Sequence, residues 1–258
     1  MERVDLNCDM GESFGVYTIG MDAEVIKYVT SANIACGFHA GDPLVMDKTV
    51  KLAADRGAGV GAHPGFPDLL GFGRRNMDCT PEEIMAYVIY QVGAISAFCA
   101  RHGVKLQHVK PHGSLYNMAV ADENIARAIA RAVASVSPDL LLVTLAGGKA
   151  ELLARIGREE GVKVVFEAFA DRAYTAEGTL VSRKLPGAVI KDADEASERA
   201  VRMVKERRVT AIDGSSIPMD LQTLCVHGDT PGAVDLVRKI REGLEREGIA
   251  VRRMGELC

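Results

Sequence analysis

The chain has 258 residues, 48% hydrophobic and 26% charged, with a formal net charge of -4. This length suits one large α/β core, and the slightly acidic balance argues against a nucleic-acid or anionic-membrane surface and for small-molecule chemistry. There is no run of about 18 apolar residues, and the opening MERVDLNCD carries acidic groups where a signal peptide needs apolar ones, so a cytoplasmic protein is expected.

Short apolar runs alternate with longer helical patterns from end to end, the pattern of repeated βα units around a parallel sheet. Strands are expected near 2–7, 31–36, 58–62, 106–110, 140–145, 163–168 and 221–226, with a further candidate near 248–252. Two helix starts are well marked. Asp42 precedes Pro43, and Thr80 precedes Pro81 with Glu83 at the capping-box position. Glycines at 57, 103 and 161 close helices before the next strand. Segment 169–191 is too polar and glycine-punctuated for a core helix and reads as a long functional loop. No linker or repeat divides the chain, so residues 1–258 are expected to form one seven- or eight-stranded (β/α) barrel, with an open doubly wound sheet as the alternative.

Six cysteines occur without a C-x-x-C pair, which excludes a zinc ribbon or a thioredoxin-type motif. Cys8, Cys36 and Cys225 lie near strand ends and are expected to be small buried hydrophobes rather than nucleophiles. No P-loop pattern is present, and Gly-Gly-Lys at 147–149 reads as an ordinary strand-to-helix turn.

The chemistry-bearing residues fall at strand ends. Asp9 follows the first strand, His39 the second, His63 the third, Lys110 and His112 the fourth, Glu167 the sixth, and His227 with Asp229 the seventh. In a parallel barrel these ends share one rim, where active sites are assembled from several strands. His102 reads as a helix-end cap, and His108 as a satisfied core side chain. Asp5, Asn7 and Asp9 alternate along one strand face and therefore point into the barrel and climb toward its rim. A calcium loop is excluded for them, because the glycine and closing Glu spacing are missing. Their polarity demands partners: the histidines and Lys110, or a metal, which the ligand types permit without specifying.

The stretches VDLNCDMGESFG, SANIACGFHAGDP, GAHPGFPDLLGFGRR, HVKPHGSLYN, FADRAYTAEGTLVSR and CVHGDTPGA, in this order from about residue 3 to about residue 252, resemble the LamB/YcsF family. The resemblance implies a barrel related to the glycoside hydrolase/deacetylase fold. It also implies ATP-dependent opening of 5-oxo-L-proline to L-glutamate together with two partner 5-oxoprolinase subunits, B and C, which would handle the ATP. On that basis the candidate catalytic residues are Asp9, Glu12, His39, His63, Lys110 and His112. The candidate substrate-binding residues are Asn7, Asn33, Tyr116, Glu167, Asp171, Arg172 and His227. Asp9, Glu12, His39 or His63 would activate water, and Lys110, His112 and Arg172 would bind the developing anion or a phosphate. A stand-alone metal-dependent amide or acetyl hydrolase, and a non-catalytic lactam-binding protein, are the competing expectations. Arg74 and Arg75 read as a solvated loop, a lid or an interface contact.

Overall fold

The computed structural model describes residues 2–226 and 232–258. In chain order its elements are β1 (Arg3–Met10), α1 (Asp22–Val25), β2 (Ser31–Ala35), α2 (Pro43–Arg56), β3 (Gly59–His63), α3 (Pro81–Arg101), β4 (Leu106–Val109), α4 (Gly113–Ala121), α5 (Glu123–Val136), β5 (Leu141–Leu145), α6 (Ala150–Glu160) and β6 (Lys163–Phe169). There follow α7 (Ala193–Glu206), β7 (Arg208–Thr210), β8 (Ser216–Pro218), β9 (Thr223–Val226), α8 (Ala233–Arg246) and β10 (Ala250–Val251). Among the described residues, seven parallel strands run β1-β2-β3-β4-β5-β6-β9, and pairing of β9 back to β1 closes the barrel. The closed barrel excludes the open sheet.

Local sequence accounts for the two marked helix starts. The Asp42 carboxylate accepts from the N–H groups of Leu44 and Val45 ahead of Pro43, and Thr80 and Glu83 form a reciprocal capping box ahead of Pro81. By length and composition α3 could cross a membrane, but it bears Glu82 and Glu83 in its first turn and packs on β3, β4, α2 and α5. Its buried stripe is Ile84, Val88, Val92, Ile95 and Cys99.

On β1 the residues Val4, Leu6, Cys8 and Met10 turn outward beneath the helices, each no more than 1% exposed. Burying each such side chain is worth about 1.5–3 kcal/mol. The inward face is different. Leu141, Val143 and Val165 pack with Met254 as a small apolar cluster, and Asp5, Asn7 and Asp9 rise along β1. The β3 glycines make this possible. A Cβ on Gly61 would stand 2.0 Å from His108 Nε2, so only glycine leaves the lumen room for that ring.

The expected strand near 248–252 is β10, which pairs with the start of β1 outside the closed ring. The β7–β8 hairpin has no counterpart among the expected elements, because its strands are only three residues long. Segment 169–191 is a loop, as expected, pinned by isolated bridges Arg172–Val189 and Tyr174–Leu180. His102 caps α3 through its backbone N–H, while its ring reaches Asp47 at 2.7 Å instead of the last carbonyls.

Candidate functional site

The β1 ladder organises the lumen as a chain of satisfied polar groups. Asp5 accepts from the hydroxyls of Thr30, Ser31 and Thr223 at 2.9, 2.6 and 2.6 Å. Burial nevertheless raises its pKa from 3.8 to about 6, the hydroxyls only partly opposing the shift. One step up, the Asn7 amide donates to Glu167 Oε1 at 3.0 Å, and the Asn7 carbonyl accepts from the Asn33 amide at 2.7 Å. Asn33 also donates to Asp9 at 2.8 Å, and its carbonyl meets His108 Nε2 at 2.7 Å. Burial, then the Lys110 charge, lowers the His108 pKa to about 3, so the ring is a neutral core donor as expected.

Lys110 lies just past β4 and is 3% exposed. Its ammonium donates to Asp9 Oδ1 at 2.9 Å, Glu167 Oε1 at 2.9 Å and Cys225 Sγ at 3.1 Å. Burial alone would pull its pKa down, but Asp9, Cys225 and Glu167 outweigh burial and hold it well above the usual value. All three N–H donors are therefore committed, which leaves none for a substrate anion.

Above this lysine sits a histidine cluster. His63 Nδ1 lies 2.7 Å from the Lys110 carbonyl and His112 Nε2 lies 2.9 Å from the Phe72 carbonyl. A carbonyl can only accept, so these partners assign a proton to each of those nitrogens. The other two nitrogens, His63 Nε2 and His112 Nδ1, stand 2.9 Å apart. In neutral rings both carry lone pairs, and two facing lone pairs repel unless a proton or a cation lies between them. Burial, then neighbouring His63, lowers the His112 pKa to about 3, which disfavours the proton.

His39 completes the cluster. Its ring stacks on His112 with centroids 3.7 Å apart and planes 1° apart, and neither of its buried nitrogens has a hydrogen-bond partner among the described residues. Glu12, delivered by the turn after β1, places Oε1 at 3.8 Å from His39 Nε2 and 3.9 Å from His112 Nδ1. One ligand atom from each of Glu12, His39, His63 and His112 falls within 4.8 Å of the others. Burial, reinforced by His112 and His63, pushes the His39 pKa well below normal, so the ring stays neutral and keeps a lone pair to donate. The donor set of three imidazoles and one carboxylate, with orphaned buried nitrogens, fits a divalent metal.

Two loops approach these rings through glycine. A Cβ on Gly65 would lie 2.6 Å from His39 Nδ1, and one on Gly73 2.8 Å from His39 Cβ. Between them Phe72 adopts φ 54, an uncommon conformation for a bulky residue, and turns its carbonyl to His112 and its ring edge-on to His39 and His112.

A cavity of about 580 Å³ opens over this floor. Of the expected residues, Asp9, Glu12, His63, Lys110, His112, Tyr116 and Arg172 line it. His39 lies behind His112. Asn7, Asn33 and Glu167 lie deeper, fully buried, with Glu167 taking the Tyr116 hydroxyl at 3.2 Å. Asp171 is buried and does not line the cavity. His227 and Asp229 fall outside the described residues. The sequence pattern does not mark Asn76, Lys149 and Arg183 and leaves Arg74 open, yet all four line the cavity. Their loop positions carry no periodic signal; Gly147-Gly148 before Lys149 is the one visible cue.

The family model described as LamB/YcsF family matches residues 4–258. A curated relative from Natranaerobius thermophilus, named as a subunit of 5-oxoprolinase, is 58% identical over 255 residues, covering 99% of this chain and 98% of the relative. The crystal structure of a lactam utilization protein from Thermus thermophilus is 49% identical with a TM-score of 0.91, covering 97% of this chain and 99% of that one. A structure described as T48 deacetylase with substrate, 16% identical, shares the fold at a TM-score of 0.51, covering 99% of this chain and 90% of that one.

Proposed function

Because the chain belongs to the LamB/YcsF family, we propose that it is the ring-opening component of an ATP-dependent 5-oxoprolinase, converting 5-oxo-L-proline to L-glutamate. The observation that carries this reading is the convergence of Asp9, Glu12, His63 and His112 on the floor of a cavity large enough for a small ring compound. A five-membered lactam is a stable amide, so its carbonyl needs prior activation or strong polarisation. No nucleotide-binding pattern is encoded here, which suits a division of labour in which partner subunits B and C use ATP to phosphorylate the lactam oxygen.

Water then adds to the ring carbonyl carbon while a base on the floor takes its proton. The carbon–nitrogen bond breaks with its electron pair going to nitrogen, which takes a proton from the same floor. The resulting acyl phosphate is hydrolysed by a second water to glutamate and inorganic phosphate. Asp9, whose Oδ2 lies 3.3 Å from His63 Nε2, would accept and return these protons, and His63 and His112 would orient the attacking water. A divalent ion held by Glu12, His39, His63 and His112 would supply Lewis-acid polarisation and a more acidic bound water. Lys110 serves as a positioning residue that holds the Asp9 carboxylate in place at 2.9 Å, in place of the anion-binding role expected from sequence.

Reconstitution tests this reading: glutamate release from 5-oxoproline is measured with ATP and the two partner subunits, with and without this chain. Release that requires this chain supports it, and release that never requires it overturns it. Glutamate release by this chain alone from unphosphorylated 5-oxoproline would favour the metal-dependent hydrolase.

A further inference from the structure

Several cations line the cavity, and among them Arg172 carries a guanidinium only 6% exposed. Its Nε donates to the Ala188 carbonyl at 3.2 Å and its Nη2 to the Val181 carbonyl at 2.6 Å. Neither acceptor carries a charge, and no carboxylate forms an ion pair with it among the described residues. A buried cation without a direct ion pair is costly. Burial, and then the nearness of Arg183, lowers its pKa, and the neighbouring Asp171 only partly opposes the shift. The two carbonyls take up Nε and one N–H of Nη2, and the side chain lines the cavity.

Three more cations line the same cavity: Arg74, Lys149 and Arg183. The loops that bear Lys149 and Arg183 are clasped together. A Cβ on Gly148 would lie 2.2 Å from the Glu177 carbonyl oxygen, and one on Gly147 2.8 Å from that of Gly178. The clasp brings backbone against backbone and fixes the loop carrying residues 179–183 over the rim. Asn76 and Ser114 add neutral polar groups on the side of Arg74.

We infer that Arg172, with Arg183, Arg74 and Lys149, forms a phosphoryl-binding subsite in the cavity wall, distinct from the carboxylate–histidine floor. It rests on the proposed function only in naming what the subsite serves: the phosphoryl group of an activated lactam, released there as inorganic phosphate. Guanidinium groups match a tetrahedral dianion by forked hydrogen bonds, and the Arg172 fork is held in place by its two carbonyls. The same chemistry would also accept the terminal phosphate of a nucleotide, so the test separates these sources.

Inorganic phosphate, ADP and 5-oxoproline are each titrated calorimetrically into the full chain. Phosphate is expected to bind saturably at one site. Arg183→Ala, an exposed position that leaves the fold intact, weakens binding about tenfold or more, the scale of one charge-assisted hydrogen bond. Arg172→Lys weakens it similarly, since a lysine cannot reproduce the fork. 5-Oxoproline leaves phosphate binding in place. Absence of saturable phosphate binding, or binding unchanged by Arg183→Ala, overturns the subsite, as does ADP that competes with phosphate and binds more tightly. Phosphate binding that persists when reconstituted glutamate release does not depend on this chain would sink the reaction assignment and leave the subsite standing.

Discussion

His63 Nε2 and His112 Nδ1 face each other at 2.9 Å, while each ring's other nitrogen is committed to a main-chain carbonyl. The pair is therefore frustrated as two neutral rings, and beside it His39 buries two nitrogens without partners among the described residues. A divalent ion relieves both. Chelator-treated protein is expected to gain thermal stability when zinc, manganese or magnesium is restored, about 2.7 kcal/mol at a concentration 100 times the Kd. His39→Ala should abolish that gain. No shift with any of the three ions would leave a shared proton as the remaining way to reconcile the rings.

Lys110 holds two carboxylates, Asp9 and Glu167, each at 2.9 Å. Lys110→Met removes their shared countercharge inside the barrel. The expected loss is about 3–5 kcal/mol of unfolding free energy, the cost of leaving buried charge uncompensated. Urea denaturation measures it, and a loss below about 1 kcal/mol would mean that the pair is solvated like a surface ion pair.

Two lumen groups should titrate with opposite sign. Asp5 holds its proton to about pH 6 in the folded protein, against an ordinary 3.8, so the native state binds more protons between these values. Stability from this group is therefore present at low pH and declines as pH rises through that window, by about 3 kcal/mol in all. His108 runs the other way. Its pKa falls from 6.5 to about 3, so its contribution is full above 6.5 and is lost as pH drops toward 3. Urea midpoints for Asp5→Asn should lose the first slope and those for His108→Gln the second; unchanged slopes would refute the burial argument.

Gly65→Ala is a small substitution with a specific target. Its Cβ would meet His39 Nδ1 at 2.6 Å, so the ring or the loop must shift. Reconstituted glutamate release should fall at least about tenfold, the effect of misplacing a site group by a fraction of an ångström, with the ion-dependent stability gain reduced in parallel. Gly93→Ala, on α3 with open space around its Cβ, is the matched control and should change neither.

Much of this site was legible in the chain. The Asp5-Asn7-Asp9 alternation placed three polar groups inside a barrel, and the strand-end positions of His39, His63, Lys110 and His112 placed them on one rim. What escaped were properties set by contacts distant in sequence. Lys110 is occupied by Asp9, Glu167 and Cys225, more than one hundred positions away in two cases, so its role could not be read from HVKPHG alone. His39 sits behind His112 only because Gly65 and Gly73 let two loops close over it. Lys149 and Arg183 reach the cavity through a backbone clasp at Gly147, Gly148 and Gly178, which no periodicity records. The β7–β8 hairpin was too short to stand out.

The most direct measurement is glutamate release by the reconstituted three-component complex carrying His63→Ala and His112→Ala together in this chain, with ATP hydrolysis followed in the same reaction. If this floor opens the activated ring, glutamate release falls by at least about 100-fold, the scale of lost acid–base catalysis, while the partners continue to hydrolyse ATP. Glutamate release at the unaltered rate, from a complex shown to contain the doubly substituted chain, would contradict it.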